Sequence, residues 1–282
     1  MHIQATIKYH QAINIPKLLT NAEAWVNITP NELSSLENAQ NQNLKRLLRI
    51  PQGTPTMGLL NELGMWTVQT IIHYKKMLYL HKLINYPDTN TAKQVLLTQI
   101  DKPGPTWWKS ILLIGEKIGQ EIDIEKISKL SKNQWKKEIR EKLQNYHVNN
   151  LKEWVKTSKK CKNINPKGKI QDYIIQLNRD EARAILLERL GMTKVRTNYK
   201  NMFNSTICQK CKIEEETTLH LIKCQLDGAP AHKEAVKDYE HCIWNIESQT
   251  PQKIKEIGGL LSFVQKFLAS TIDAAPPVSV NS

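Results

Sequence analysis

Apolar residues recur at helical spacing along most of the chain, and the apolar–polar alternation of half-buried strands is scarce. No segment repeats another. The reading is a mainly α protein of many helices. The first strong start is Thr29-Pro30-Asn31-Glu32, where threonine caps, proline takes the first helical position and Glu32 closes a capping box. Leu33, Leu36, Leu44, Leu47 and Leu48 form the apolar stripe behind it, and Pro51 ends it. Lys45, Arg46 and Arg49 flank that stripe and read as a solvated face. Thr54-Pro55 opens a short helix through Met57, Leu59, Leu60 and Leu63, stopped by Gly64. Thr67 caps a third, with Val68, Ile71, Ile72, Leu78, Tyr79 and Leu83. His73 and His81 on it are eight apart, not the four of a metal pair, and read as surface or core histidines.

Residues 85–106 hold Pro87, Asp88, Pro103, Gly104 and Pro105 and form the clearest break. Trp107-Trp108 then read as core anchors of a helix carrying Ile111, Leu112 and Ile118. Ser131-x-x-Gln134 resembles a capping box ahead of Trp135, Ile139 and Leu143, and Trp154 and Val155 anchor a further short helix. Asn165-Pro166-Lys167-Gly168 reads as a turn. A helix is expected from about Arg179 to Leu190, ended by Gly191, and two amphipathic helices over 231–247 and 251–272. The last of these uses Ile254, Ile257, Leu260, Leu261, Val264 and Leu268, and 273–282 read as a disordered tail.

Charge changes the picture. The 282 residues carry a formal net charge of +13, which points to a polyanionic partner, most often nucleic acid. Residues 129–169 hold thirteen Lys/Arg against three Glu, most of that excess. Hydrophobic content of 40% suffices for a buried core. No apolar run is long enough to span a membrane, and no signal region opens the chain, so a nuclear or cytoplasmic location is expected.

Five cysteines fit no secreted disulfide scaffold. Three of them fall in Cys208-x2-Cys211-x8-His220-x3-Cys224, four metal-binding residues within seventeen. The first pair has the spacing of a tight metal-binding turn. His220 and Cys224 are four apart on one face of a helix that Glu216, Thr217 and Thr218 can start. Thiolates and one imidazole form a closed tetrahedral shell, so the expectation is structural Zn2+ without catalytic work. Cys161 and Cys242 are left over.

A run of further residues carries a resemblance. Leu177 through Cys224, with Ala182-Arg183, Arg189, Met192, Val195, Asn198-Tyr199-Lys200, the Cys208-x2-Cys211 pair, Glu216-Thr217, His220-Leu221 and Cys224, resembles the segment that follows the polymerase domain in reverse transcriptases of non-LTR (LINE-type) retrotransposons. Ile15-Pro16-x-Leu18-Leu19, Glu23-x-Trp25, Leu47-Leu48-Arg49-Ile50-Pro51, Thr54-Pro55, Leu60-x-Glu62-Leu63-Gly64 and Tyr79-Leu80-His81 are similar to that family's thumb region. The resemblance covers most of residues 13–226 and implies a remnant over 1–28, a thumb-like helical bundle over 29–86, a basic helical linker over 87–200, a CCHC zinc-binding module over 201–226, and C-terminal helices over 227–272.

The paired aspartates that hold the family's catalytic metals are missing, since the chain has no Asp-Asp dipeptide. The resemblance therefore implies binding of RNA or DNA without polymerase activity, and no small-molecule substrate. The basic residues expected to meet phosphates are Lys136, Lys137, Arg140, Lys142, Lys156, Lys159, Lys160, Arg183, Arg189 and Lys200. The alternative is a zinc-stabilised helical protein–protein module, its basic face merely solvated and its partner surface the apolar side of 251–268. An enzyme built on Asp180-Glu181, or on His232 with His241, has no supporting spacing.

Overall fold

The computed structural model describes residues 2–272 apart from 101, 103, 204 and 226–238. The expected tail, and the first half of the helix expected over 231–247, lie outside the described residues. The described chain is mainly helical, and its only β features are two isolated bridges, Leu63 with Ile170 and Ile207 with Glu215. Helix α1 (Ile3–Tyr9) presents Ile3 and Ile7, one turn apart, to the core. His2 precedes it, accepting from Gln4 N–H at Nδ1 and bonding the Leu177 carbonyl through Nε2 at 2.7 Å. A π-helical turn over His10–Asn14 leads into α2 (Ile15–Leu18).

Three local signals then set three helices. Thr29 and Glu32 form the expected capping box on α3 (Pro30–Leu48). Helix α4 (Thr56–Glu62) follows, and Gly64 after it adopts φ +61°. A side chain there would also collide with the Ile170 backbone, which lies 2.2 Å from where a Cβ would stand. Thr67 caps α5 (Val68–Ile84) through the Thr70 N–H. Lys45 departs from its expected place on a solvated face. Its stem is buried and its ammonium donates to the Gln52 carbonyl at 2.8 Å.

The break over 85–106 contains a helix that composition hid, α6 (Thr91–Ile100), started by Asn90 accepting from Ala92 N–H. Thr106 caps α7 (Trp107–Ile118) and Asp123 caps α8 (Ile124–Ser128). Ser131 and Gln134 form the second capping box, on α9 (Lys132–Thr157). Helix α9 is one continuous 26-residue helix, so Trp154 and Val155 anchor its last turn and not a separate helix. Trp135, Ile139, Leu143, His147 and Leu151 recur every fourth residue along its buried side. Met77, Leu80, Leu83 and Ile84 of α5 share a core cluster with Trp107, Trp108, Ile111 and Ile114 of α7 and the first part of α9. The packing thus runs across the boundary expected at residue 86.

After the 158–171 loop come α10 (Asp172–Gln176) and α11 (Arg179–Arg189), then α12 (Thr218–Gln225), α13 (Tyr239–Trp244) and α14 (Pro251–Ile272). Ile254, Ile257, Leu260, Leu261, Val264 and Leu268 of α14 are all buried, and α14 packs mainly on α11. Each such side chain contributes about 1.5–3 kcal/mol by leaving water. This corrects the alternative reading above, because the apolar side of 251–268 is spent inside the fold. The same core takes in Ile3 and Ile7 with Leu44, Leu48, Leu59 and Leu60, while Ile15, Leu19 and Ala22 form a separate cluster with Val68 and Ile72, so the stretch read as a remnant is packed into the fold.

Candidate metal centre and basic surface

The metal-ligand segment is held by its own backbone before any ion enters. The Ile207–Glu215 bridge closes a hairpin in which Cys208 N–H donates to the Glu214 carbonyl at 2.8 Å and Lys212 N–H to the Cys208 carbonyl at 2.9 Å. Lys212 takes φ +59° at the turn. Thr217 accepts from His220 N–H, so α12 begins where the sequence placed it and carries His220 and Cys224 on one side. The ligand atoms of Cys208, Cys211, His220 and Cys224 all lie within 4.8 Å of one another, and Cys211 Sγ is 3.3 Å from His220 Nε2.

Three thiols and an imidazole converging at this distance fit a metal ion in four-fold coordination. Glu214 strengthens the fit. Its carboxylate sits 2.9 Å from His220 Nδ1, which puts the proton on Nδ1 and leaves Nε2 as the ligand atom. The backbone N–H groups of Glu214 and Ile213 hold the Cys211 thiol down to about 7. Burial, with the Cys208 and Cys211 sulfurs beside it, pushes the Cys224 thiol up to about 11. Crowded thiolates repel one another, and a cation at their centre removes that cost. Glu214 was not anticipated, since one carboxylate inside a charged loop has no telling spacing.

The module is fastened to α11. Burial pushes the Glu188 carboxyl above its usual range, against hydrogen bonds donated by Thr193 Oγ1 (2.6 Å) and Thr218 Oγ1 (2.8 Å). Glu216 accepts from Arg196 N–H at 3.2 Å and lies 3.5 Å from its Nε.

The basic residues divide into two groups. Arg189, expected to meet phosphate, is completely buried. Its guanidinium grips Glu62 at two points, 2.9 and 3.0 Å, and Tyr173 Oη donates to the same carboxylate at 2.8 Å. Burial works against the charge of Arg189, but Glu62 outweighs it and holds the guanidinium above its ordinary value. Arg189 is thus an internal counter-ion. Arg183 is half-buried and donates twice to the carbonyl of Arg49, where α3 ends in a left-handed residue. Lys142 donates to the Gly119 carbonyl at the end of α7, and Lys156 pairs with Glu153 at 2.7 Å.

Lys136, Lys137, Arg140, Lys159, Lys160 and Lys200 are exposed, and among the described residues none pairs with a carboxylate. Lys160 lies 5.9 Å over the Tyr199 ring and 3.9 Å from Met192 Sδ. That contact brings the 158–162 loop beside the segment that leads into the metal hairpin. Among the described residues no helix is long and apolar enough to cross a membrane. No protein-family profile, curated protein or solved structure matches the chain significantly.

Proposed function

We propose that the chain binds nucleic acid through phosphate contacts, as the C-terminal portion of a retrotransposon reverse transcriptase of the non-LTR type, and does no polymerase chemistry itself. The observation that carries this reading is the set of exposed lysines and Arg140 that pair with no carboxylate among the described residues, with Lys160 lying over Tyr199 in the segment that leads into the metal hairpin. Phosphates are the partner that an uncompensated array of ammonium and guanidinium groups suits best, because each contact releases condensed counter-ions. The ion at Cys208, Cys211, His220 and Cys224 is Zn2+, whose preference for thiolate and imidazole in a closed tetrahedron matches the donor set. When bound it supplies folding energy, with no open position for a substrate. Reduced thiolate ligands suit a reducing compartment, and the location proposed is nucleus or cytoplasm.

The test is affinity for duplex and single-stranded probes as a function of salt. Replacing Lys136, Lys137 and Arg140 with Gln lowers the slope of log affinity against log salt by at most about three phosphate contacts, roughly 2.7 on duplex DNA. Lys142 is left in place because it is engaged with α7. Wild-type chain that binds neither probe would overturn the reading. So would binding insensitive to salt, which would favour the protein–protein alternative, for which Met202 and Ile213, 69% and 80% exposed near the metal centre, are the available apolar side chains.

A further inference from the structure

A polar pocket lies away from the metal centre, between the 158–171 loop and α13. Its volume is about 570 Å³, room for a nucleotide. Its lining is unlike a phosphate site. Trp244 supplies a half-buried indole, and Asn163, Asn165 and Asn245 supply three side-chain amides. Glu240 also faces it and would repel a phosphate, whereas Glu247 in its lining is compensated by Lys167 at 2.9 Å and lies 3.9 Å from Arg189.

The amides of Asn163 and Asn165 and the indole N–H of Trp244 make no hydrogen bond to another described residue. The Asn245 amide donates to the His241 carbonyl at 3.1 Å, which orients it. Glu247 accepts from Lys167 Nζ at 2.9 Å and is held in place by it. Positive charge lies close by in the chain. Lys162 is exposed next to Asn163 and pairs with no carboxylate among the described residues.

We infer that this pocket takes one unpaired nucleobase of a bound strand, stacked on Trp244, with Asn163 and Asn165 reading its edge and Lys162 meeting the adjacent phosphate. An aromatic face gives stacking that every base can use. Side-chain amides bond the donor–acceptor edge of adenine in pairs, and a carboxylate accepts from an exocyclic amino group. Glu240 thus favours bases that carry an exocyclic amino group, adenine, cytosine and guanine, over uracil. Duplex is excluded because its bases are stacked and their edges paired. This inference rests on the nucleic-acid reading above and adds where a single strand is distinguished from a double one.

The experiment is fluorescence anisotropy on the full, zinc-loaded chain, with a labelled oligoadenylate and a labelled duplex of the same length. Trp244→Ala weakens oligoadenylate binding about tenfold or more, leaves duplex binding and its salt slope unchanged, and Trp244→Phe restores most of the loss. Because Trp244 is partly buried, the exposed pair Asn163→Ala/Asn165→Ala is measured alongside and shifts the oligoadenylate-to-oligouridylate preference toward one. Variants that leave oligoadenylate affinity untouched, or weaken both probes equally, overturn the pocket while the phosphate reading stands. A wild-type chain that binds neither probe removes that reading and the pocket with it.

Discussion

Cys211 and Arg189 mark two ways in which single side chains hold this protein together. Replacing Cys211 with Ser removes one of four donors and exposes the mutual repulsion of the other thiols. On the zinc reading, the expected outcome is loss of one zinc ion per chain, measured by metal analysis after dialysis, with a lower melting temperature. Glu214→Gln keeps the ligands but weakens the acceptor for His220 Nδ1, so affinity for the ion falls by roughly 10- to 100-fold. Arg189→Met leaves the Glu62 carboxylate buried without a counter-ion, at a cost of about 3–5 kcal/mol in urea denaturation. The double variant Glu62→Leu/Arg189→Met removes both charges and recovers much of that loss. A double variant no more stable than the single would show that the network, not the stranded charge, sets the cost.

At the scale of the element, what the sequence discloses depends on how far apart the cooperating residues lie. The boxes at Thr29–Glu32 and Ser131–Gln134 were legible because each is complete within four residues. The metal cluster was legible for the same reason, its short spacings setting a hairpin turn and one face of α12. Helix α6 was hidden because Pro87, Pro103 and Pro105 dominate its surroundings, although Asn90 is an ordinary cap. The continuity of α9 was hidden by its amide-rich middle, Gln144 to Asn150, whose helical state is decided by His147 and Leu151 packing inward. No local pattern could assign Arg189 to the interior. Its partner is 127 residues away, and a lone arginine beside charged neighbours looks like surface.

Across the whole molecule the interior titrates as well as packs. Burial, helped by Lys117 and Lys76, lowers His73 to about 4, and burial lowers His147 to about 4. Both lie below the ordinary 6.5, so the folded state resists protonation that the unfolded chain accepts. The stability they protect is fully present above pH 6.5 and is lost as pH falls toward 4. Each contributes up to about 1.4 kcal/mol per pH unit across that window. Stability of the wild type should therefore fall between pH 7 and 5, and His73→Gln/His147→Gln should fall less steeply, as read by urea midpoints at both values.

The Glu62–Arg189 pair has a practical consequence for anyone dividing the chain. Its two members sit on opposite sides of every boundary that charge or composition suggests, at 86 and through the basic stretch over 129–169. A piece ending near residue 157 keeps the acid and loses the base, while the complementary piece keeps a guanidinium with nowhere to bury it. Neither piece is expected to give a sharp melting transition alone. Mixed in equal amounts, the two should regain the helical signal and a cooperative melt, because their shared core and its charge pair form only when both are present. This makes the protein a candidate for split-fragment reconstitution.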